Sequence, residues 1–426
     1  MRRVASPRFD VAIIGAGAAG MMAAAVAGQR GLRVVLIDHA ERLAEKIRIS
    51  GGGRCNFTNI GAGPANFISQ NPDFCRSALA AYTPRDFIDL VERHKIRWHE
   101  KHRGQLFCDG SSEEIIDMLR RECDDGRVSW RMPCTVQDIA HSEGRYTLRT
   151  TEGQLSASQL VLATGGMAIP QLGATDYALG VARQFGLKVV EPRPALVPLT
   201  FDGQAWQSFA ALSGVALEVR VTTEGGVAPV RKSGRAGGGK APKAGKAEFL
   251  EDLLFTHRGL SGPAILQIST FWHPGEPIHI DLAPQQDLER DLLAAKSGGR
   301  QQLGTVLAGL WPKRLAEQWL AQADTGNTDL GARRLADVPD KALRQLAARI
   351  HRWSLVPSGT AGYKKAEVMR GGVDTQGINQ KTMEAKAMPG LYVIGEAVDV
   401  TGWLGGYNFQ WAWASGVACG RALSRS

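Results

Sequence analysis

Thiols are scarce in this chain, with six cysteines in 426 residues: Cys55, Cys75, Cys108, Cys123, Cys134 and Cys419. No two of them form a C-x-x-C pair. That excludes a disulfide framework and the dithiol couple of disulfide reductases, and a reducing compartment is the expected setting. The nine His show no H-x-x-x-H or H-E-x-x-H spacing, so no metal is expected. Long apolar runs are equally few. One uncharged stretch, Val11 to Gly28, follows Met1-Arg2-Arg3 and superficially resembles a signal peptide or a membrane span. Asp10 at its mouth and glycines at 15, 17, 20 and 28 argue for a strand, a turn and a helix instead. The expectation is a soluble, cytoplasmic protein with no membrane partner.

Acids are missing from one segment altogether. Lys plus Arg exceeds Asp plus Glu by 51 − 42 = 9, and six of those positive charges lie between Gly225 and Ala247: Arg231, Lys232, Arg235, Lys240, Lys243 and Lys246. The segment includes Gly237-Gly238-Gly239 and reads as a solvated surface loop. Nucleic acid is therefore not the expected partner, because a binding stripe usually lies on folded elements. What is abundant is ordinary: 44% apolar residues, 50 Gly and 19 Pro fit a globular chain of two or three domains.

The glycines are placed with purpose. Phe9 to Ile14 is a short β-type run, Gly15-Ala16-Gly17-Ala18-Ala19-Gly20 follows, and small residues from Met21 to Gln29 predict a helix. A second strand, Arg33 to Ile37, ends at Asp38. This is G-x-G-x-x-G in the context it needs. Gly15 permits the turn, Gly17 lets backbone approach a pyrophosphate, and Gly20 lets helix and strand pack. The first-turn N–H groups at Ala18 and Ala19 would face phosphate, and Asp38 would accept from ribose hydroxyls. The fingerprint alone does not separate FAD from NAD.

Three further segments point to FAD. Gln159 to Ala163 reads as a strand running into Thr164-Gly165-Gly166, as in flavoproteins of the glutathione-reductase type. Gly390 to Ile394 reads as another strand, ending in Gly395-Glu396, where a carboxylate would hold a ribityl hydroxyl. Gly405-Gly406-Tyr407-Asn408 leads into a helix from about Phe409 to Leu423, whose N-terminus would face the flavin pyrimidine ring. Lys46 to Asn59, with Ser50-Gly51-Gly52-Gly53-Arg54-Cys55-Asn56, closely resembles the K-x-x-x-S-G-G-G-R-C-N-x-T-N signature of the BaiN-like flavoproteins, the family that includes aminoacetone oxidase. Phe255 to Ala264, Gly371-Gly372-Val373 and Gly405 to Gln410 match it too, and the resemblance spans residues 9 to 420.

The resemblance implies an α/β fold: a Rossmann-like FAD-binding domain of the glutathione-reductase type with an inserted domain, part β-barrel-like and part helical. The expected boundaries are 1–191 for the first part of the FAD domain, 192–285 for the barrel-like insert, 286–352 for its helical part and 353–426 for the return. It also places Lys46, Gly52, Gly53, Arg54, Cys55, Asn56 and Asn59 at the cofactor, with Val136 against the adenine. Arg54 could neutralise cofactor charge, and the two Asn offer amides. Cys55 is expected to pack as a small residue. Ser129 to Arg131 is expected to complete the central sheet, and 134–157 to form an antiparallel meander. Leu303, Val306, Leu307 and Leu310 fall on one predicted helical face. His257 and Arg258 tempt as catalytic groups, but a structural role is the expectation.

Function follows as an ordered set. First is an FAD-dependent oxidoreductase acting on a small organic molecule, by family analogy an amino-ketone oxidation or an enone reduction. Second is a flavin-dependent RNA-modifying enzyme, and third a non-catalytic binding protein on the same fold. No second G-x-G-x-x-G lies between Pro192 and Ser358, so NAD(P)H, as a transient donor, would bind without a Rossmann domain of its own. Catalytic residues, substrate and oligomeric state have no motif.

Overall fold

The computed structural model describes residues 7–224, 247–297, 300–323 and 329–425. The six basic residues of the loop expectation lie outside the described residues. The chain divides into two units, Met1–Pro194 with Glu367–Ser426, and Ala195–Ala366.

In the first unit, five parallel strands stand in the order Ser129–Arg131, Val34–Ile37, Arg8–Ile14, Gly153–Leu162, Leu391–Val393. Ser129–Arg131 thus takes the sheet edge expected of it. The chain leaves Arg8–Ile14 toward Val34–Ile37 on one side, and Gly153–Leu162 flanks it on the other. The strand order therefore reverses at the C-terminal end of Arg8–Ile14, where open α/β sheets form their crevice. The meander Val136–Ser142, Arg145–Thr150 and the first half of Gly153–Leu162 pairs antiparallel. Two short strands were expected over 154–162, but the structure has one of ten residues. Ser158 alone does not interrupt it, so the meander and the central sheet share a single strand.

The Ala18–Gln29 helix is buried on almost every side. Its small residues are a packing requirement: a Cβ on Gly20 would lie 1.8 Å from the Gly15 carbonyl oxygen. Cβ atoms on Gly416 and Gly420 of the Tyr407–Ala422 helix would come within 2.7 Å of Ala19 O and 2.9 Å of Ala23 O. Two helices with so little side chain between them approach closely and present their N-termini to the crevice.

The second unit holds seven antiparallel strands in the order Trp353–Leu355, Ile278–Asp281, Ala216–Thr223, Ala247–Thr256, Gly259–Ser261, Leu199–Thr200, Gly359–Thr360. Among the described residues no pairing joins the two ends, so the barrel-like part is an open sheet. Helices Leu288–Lys296, Leu303–Ala308, Lys313–Ala323 and Asp340–His351 accompany it. The return expected at residue 353 comes later in the structure, at Glu367. Trp353 stacks into the second unit's aromatic core, 5.1 Å from Phe209 and 6.0 Å from Phe255 between ring centroids. That packing keeps 353–360 in the insert, and the first unit resumes at Glu367. Leu303 and Leu307 are buried as expected, whereas Leu310 is 40% exposed because its helix stops at Ala308, before Gly309. His257 and Arg258 form the exposed turn between Ala247–Thr256 and Gly259–Ser261.

Candidate functional site

The loop after the first strand is fixed from both sides. Gly15 N–H donates to Ile37 O at 2.8 Å, and Ala163 N–H to Ile14 O at 2.8 Å. Gly15 has φ +107°, and a Cβ there would strike Ala163 O at 2.4 Å, so only glycine fits. Asp38 Oδ2 accepts from Ala16 N–H at 2.7 Å and its Oδ1 from Ala40 N–H at 2.9 Å. The acid expected at the ribose therefore also ties the loop to the second strand. No side chain caps the Ala18–Gln29 helix at Gly17, and a Cβ on Gly17 would meet nothing within 4 Å. An uncapped helix N-terminus facing open space suits a pyrophosphate.

The Thr164-Gly165-Gly166 turn adds a buried orphan: Thr164 Oγ1 has no partner among the described residues. A buried hydroxyl without a partner costs stability unless a ligand satisfies it. Beside this turn, Glu396 Oε2 accepts from Lys46 Nζ at 2.7 Å and Oε1 from Met369 N–H at 2.8 Å. A Cβ on Gly166 would lie 2.8 Å from Glu396 Oε1. Lys46, Gly166 and Glu396 are 350 residues apart at the extremes, and the fold gathers them at one point. Gly395 is held by the C-terminal helix, donating its N–H to Ser415 Oγ at 3.0 Å and accepting from Trp411 Nε1 at 2.9 Å.

Gly52 and Gly53 have positive φ, and Cβ atoms on them would face open space. Arg54 is exposed. Cys55 is fully buried, and burial pushes its thiol up to about 12, with Ser50 pulling the other way. It is a packed thiol, not a thiolate nucleophile. The Asn56 and Gln105 amides meet at 3.2 Å. Asn59, expected at the cofactor, is 2% exposed and spends its amide on Arg103 O (3.0 Å), Gly405 O (3.1 Å) and Gly61 N–H (2.9 Å). Its side chain positions the Gly405-Gly406 loop. The Asn408 side chain likewise holds Gly402 N–H at 2.8 Å, Gly402 O at 2.9 Å and Trp403 O at 3.2 Å. Tyr407 starts the C-terminal helix, edge-on to Phe67, with Gly406 as an uncapped N-cap at φ +92°. Val136 opens its strand opposite Thr150 and is buried. Trp411 belongs to the core, buried to 1%.

Two polar groups here carried no sequence signal. Glu367 lies one residue before the strand Val368–Val373. Its side chain is exposed at the surface, yet desolvation by the protein around it pushes its carboxyl up to about 7 while Lys46 pulls it down. Gln105 reaches the Gly405 backbone position, where a Cβ would lie 2.8 Å from its side chain.

Open space at Gly17, Gly52 and Gly53, the orphan Thr164 hydroxyl and two uncapped helix N-termini fit a bound FAD. Fold and site together define the class, an FAD-dependent oxidoreductase built on a Rossmann-type domain. The chain belongs to the HI0933-like protein Rossmann domain family, whose model matches residues 9–422. It is 46% identical to a ribosomal RNA dihydrouridine synthase of Escherichia coli strain K12, over 98% of both chains. It is 43% identical to a protein of the same name from Haemophilus influenzae, over 97% of this chain and 98% of that one. A 3-dehydro-bile acid delta(4,6)-reductase of Clostridium scindens is 26% identical, over 97% and 98%. Among the described residues, no helix is long and apolar enough to cross a membrane.

Proposed function

We propose that this protein reduces a uridine of ribosomal RNA to dihydrouridine. The observation that carries the reading is 46% identity over 98% of both chains to a ribosomal RNA dihydrouridine synthase. This departs from the sequence expectation of a small organic substrate and takes up the RNA alternative. The two readings share their chemistry. The C5–C6 double bond of uracil is conjugated to the C4 carbonyl, so its reduction is an enone reduction carried out on a base. FAD, when bound and reduced, supplies the hydride.

The chain must do the rest. Asp38, Gly17 and the Ala18–Gln29 helix N-terminus would hold the adenosine and pyrophosphate, and Thr164 Oγ1 would gain its missing partner. The Lys46–Glu396 pair packs beside the turn at Gly165-Gly166. Reduction of the conjugated double bond also needs a proton. Glu367, with its carboxyl raised to about 7, would be about half protonated at neutral pH and is the group we assign to deliver the proton. A uracil inside a duplex must leave its stack to enter the crevice.

Deleting the gene and digesting ribosomal RNA to nucleosides tests the reading. Dihydrouridine, 2 mass units heavier than uridine, should be lost at a ribosomal position and restored by the wild-type gene. Unchanged dihydrouridine in that RNA would sink the proposal.

A further inference from the structure

We infer that one face of the small sheet formed by Asn56–Asn59, Gln105–Cys108 and Trp98–Glu100 is the track on which the phosphodiester backbone of the RNA substrate lies. The inference rests on the RNA reading above and deepens it.

The register sets the face. His99 pairs with Phe107, Asp109 N–H donates to Arg97 O at 2.9 Å, and Lys101 N–H donates to Gln105 O at 3.0 Å. Alternation along the strand therefore puts Arg97, His99 and Lys101 on one face, opposite Asp109, Phe107 and Gln105. The contacts agree. The His99 ring stacks on Phe107 at 6.1 Å, and Lys101 Nζ lies 5.4 Å from the centre of the same ring. Gly51 closes over that ring too, since a Cβ there would lie 2.8 Å from it. Arg54, three residues on, accepts from Cys108 N–H at its carbonyl, 2.9 Å away. Lys101 thus lies over a buried ring, Arg97 shares its strand face, and Arg54, Arg97 and Lys101 are all exposed.

The acid on this face is engaged: Asp109 Oδ1 meets His99 Nδ1 at 2.7 Å. Glu100 belongs to the alternate position of the strand and accepts from Gly104 N–H at 3.0 Å. Arg97 and Lys101 outweigh Asp109, so the face is net positive, while Glu114 at its far end accepts from Ser111 N–H at 3.1 Å. The face also leads somewhere. Gln105, at the end of the face, meets the Asn56 amide at 3.2 Å and crowds Gly405 of the loop that precedes the C-terminal helix. A backbone held by Arg97 and Lys101 would be delivered to the flavin loop, with the target base beyond it. Such contacts position a nucleic acid without reading its sequence.

The test uses the full-length flavoprotein and an Arg97→Gln/Lys101→Gln double variant, leaving Arg54 intact because it also belongs to the cofactor loop. Binding to protein-free ribosomal RNA from a strain lacking the gene is measured by fluorescence anisotropy across a salt series. The variant should keep its flavin absorbance, bind about tenfold more weakly near 0.1 M salt and lose about 1.4–1.8 from its log–log salt slope. A wild-type protein that neither binds that RNA nor forms dihydrouridine in it would overturn the functional reading, and the track with it. A wild-type protein that binds, beside a double variant with unchanged affinity and slope, would overturn the track alone. So would a slope that falls only on deletion of 225–246.

Discussion

Gly17 separates folding from cofactor binding better than any other residue of the fingerprint. Its φ of −83° and ψ of −167° are open to any residue, and a Cβ would meet no protein atom within 4 Å. Gly17→Val should therefore leave the melting temperature of the flavin-free protein within a few degrees of wild type. Its FAD content, read from absorbance after denaturation, should fall at least tenfold because the branched side chain fills the pyrophosphate path. Gly20→Ala should do the opposite and unfold the protein, since its Cβ would lie 1.8 Å from a backbone oxygen. Glu367 makes a separate prediction with a defined sign. Its carboxyl is raised toward 7, so the protonated form is present below that value and lost above it. With Glu367 as proton donor, the single-turnover rate of uracil reduction should fall as pH rises through about 7. Glu367→Gln should be slow at every pH while flavin content stays normal. A flat wild-type profile would remove Glu367 from the chemistry.

At the scale of elements, legibility followed locality. The Gly15–Gly20 turn, the acid at 38 and the meander over 136–157 were readable because each is a short stretch whose glycines or alternation state its geometry. The Tyr407–Ala422 helix was readable too, though it starts two residues earlier than Phe409, directly on Gly406. Asn59 was expected at the cofactor for its amide and Asn408 for its place at the start of the C-terminal helix, and their side-chain partners were not foreseen. Their partners Gly405 O, Gly402 O and Trp403 O come from loop closures that no spacing announces. The Lys46–Glu396 pair and the contact of Gln105 with Gly405 were hidden for the same reason. Residues 353–360 were misplaced because the pull of Trp353 toward Phe209 is a packing fact. One element carries its own stability test. The helix Pro84–Arg93 has a capping box, in which Thr83 Oγ1 accepts from Asp86 N–H and the Asp86 carboxylate from Thr83 N–H at 2.7 Å. Thr83→Ala should cost about 1 kcal/mol in urea unfolding, with no change in flavin content.

At the scale of the whole molecule, the proposed activity is reduction of a uracil of ribosomal RNA by a flavin held in the Rossmann-type crevice. Nothing in the composition announced that substrate, and the basic segment at 225–247 argued for a solvated loop rather than for RNA. The likeness along 98% of two curated relatives changed the balance, because a shared 46% of residues includes far more than a fingerprint. The direct measurement is a single turnover without oxygen. Purified holoprotein is reduced to completion with dithionite, freed of excess reductant and mixed with ribosomal RNA from a strain lacking the gene. The account predicts that flavin absorbance near 450 nm returns and that dihydrouridine appears at one per flavin reoxidised. Flavin that stays reduced with that RNA, yet is reoxidised by a small enone or by oxygen alone, would contradict it.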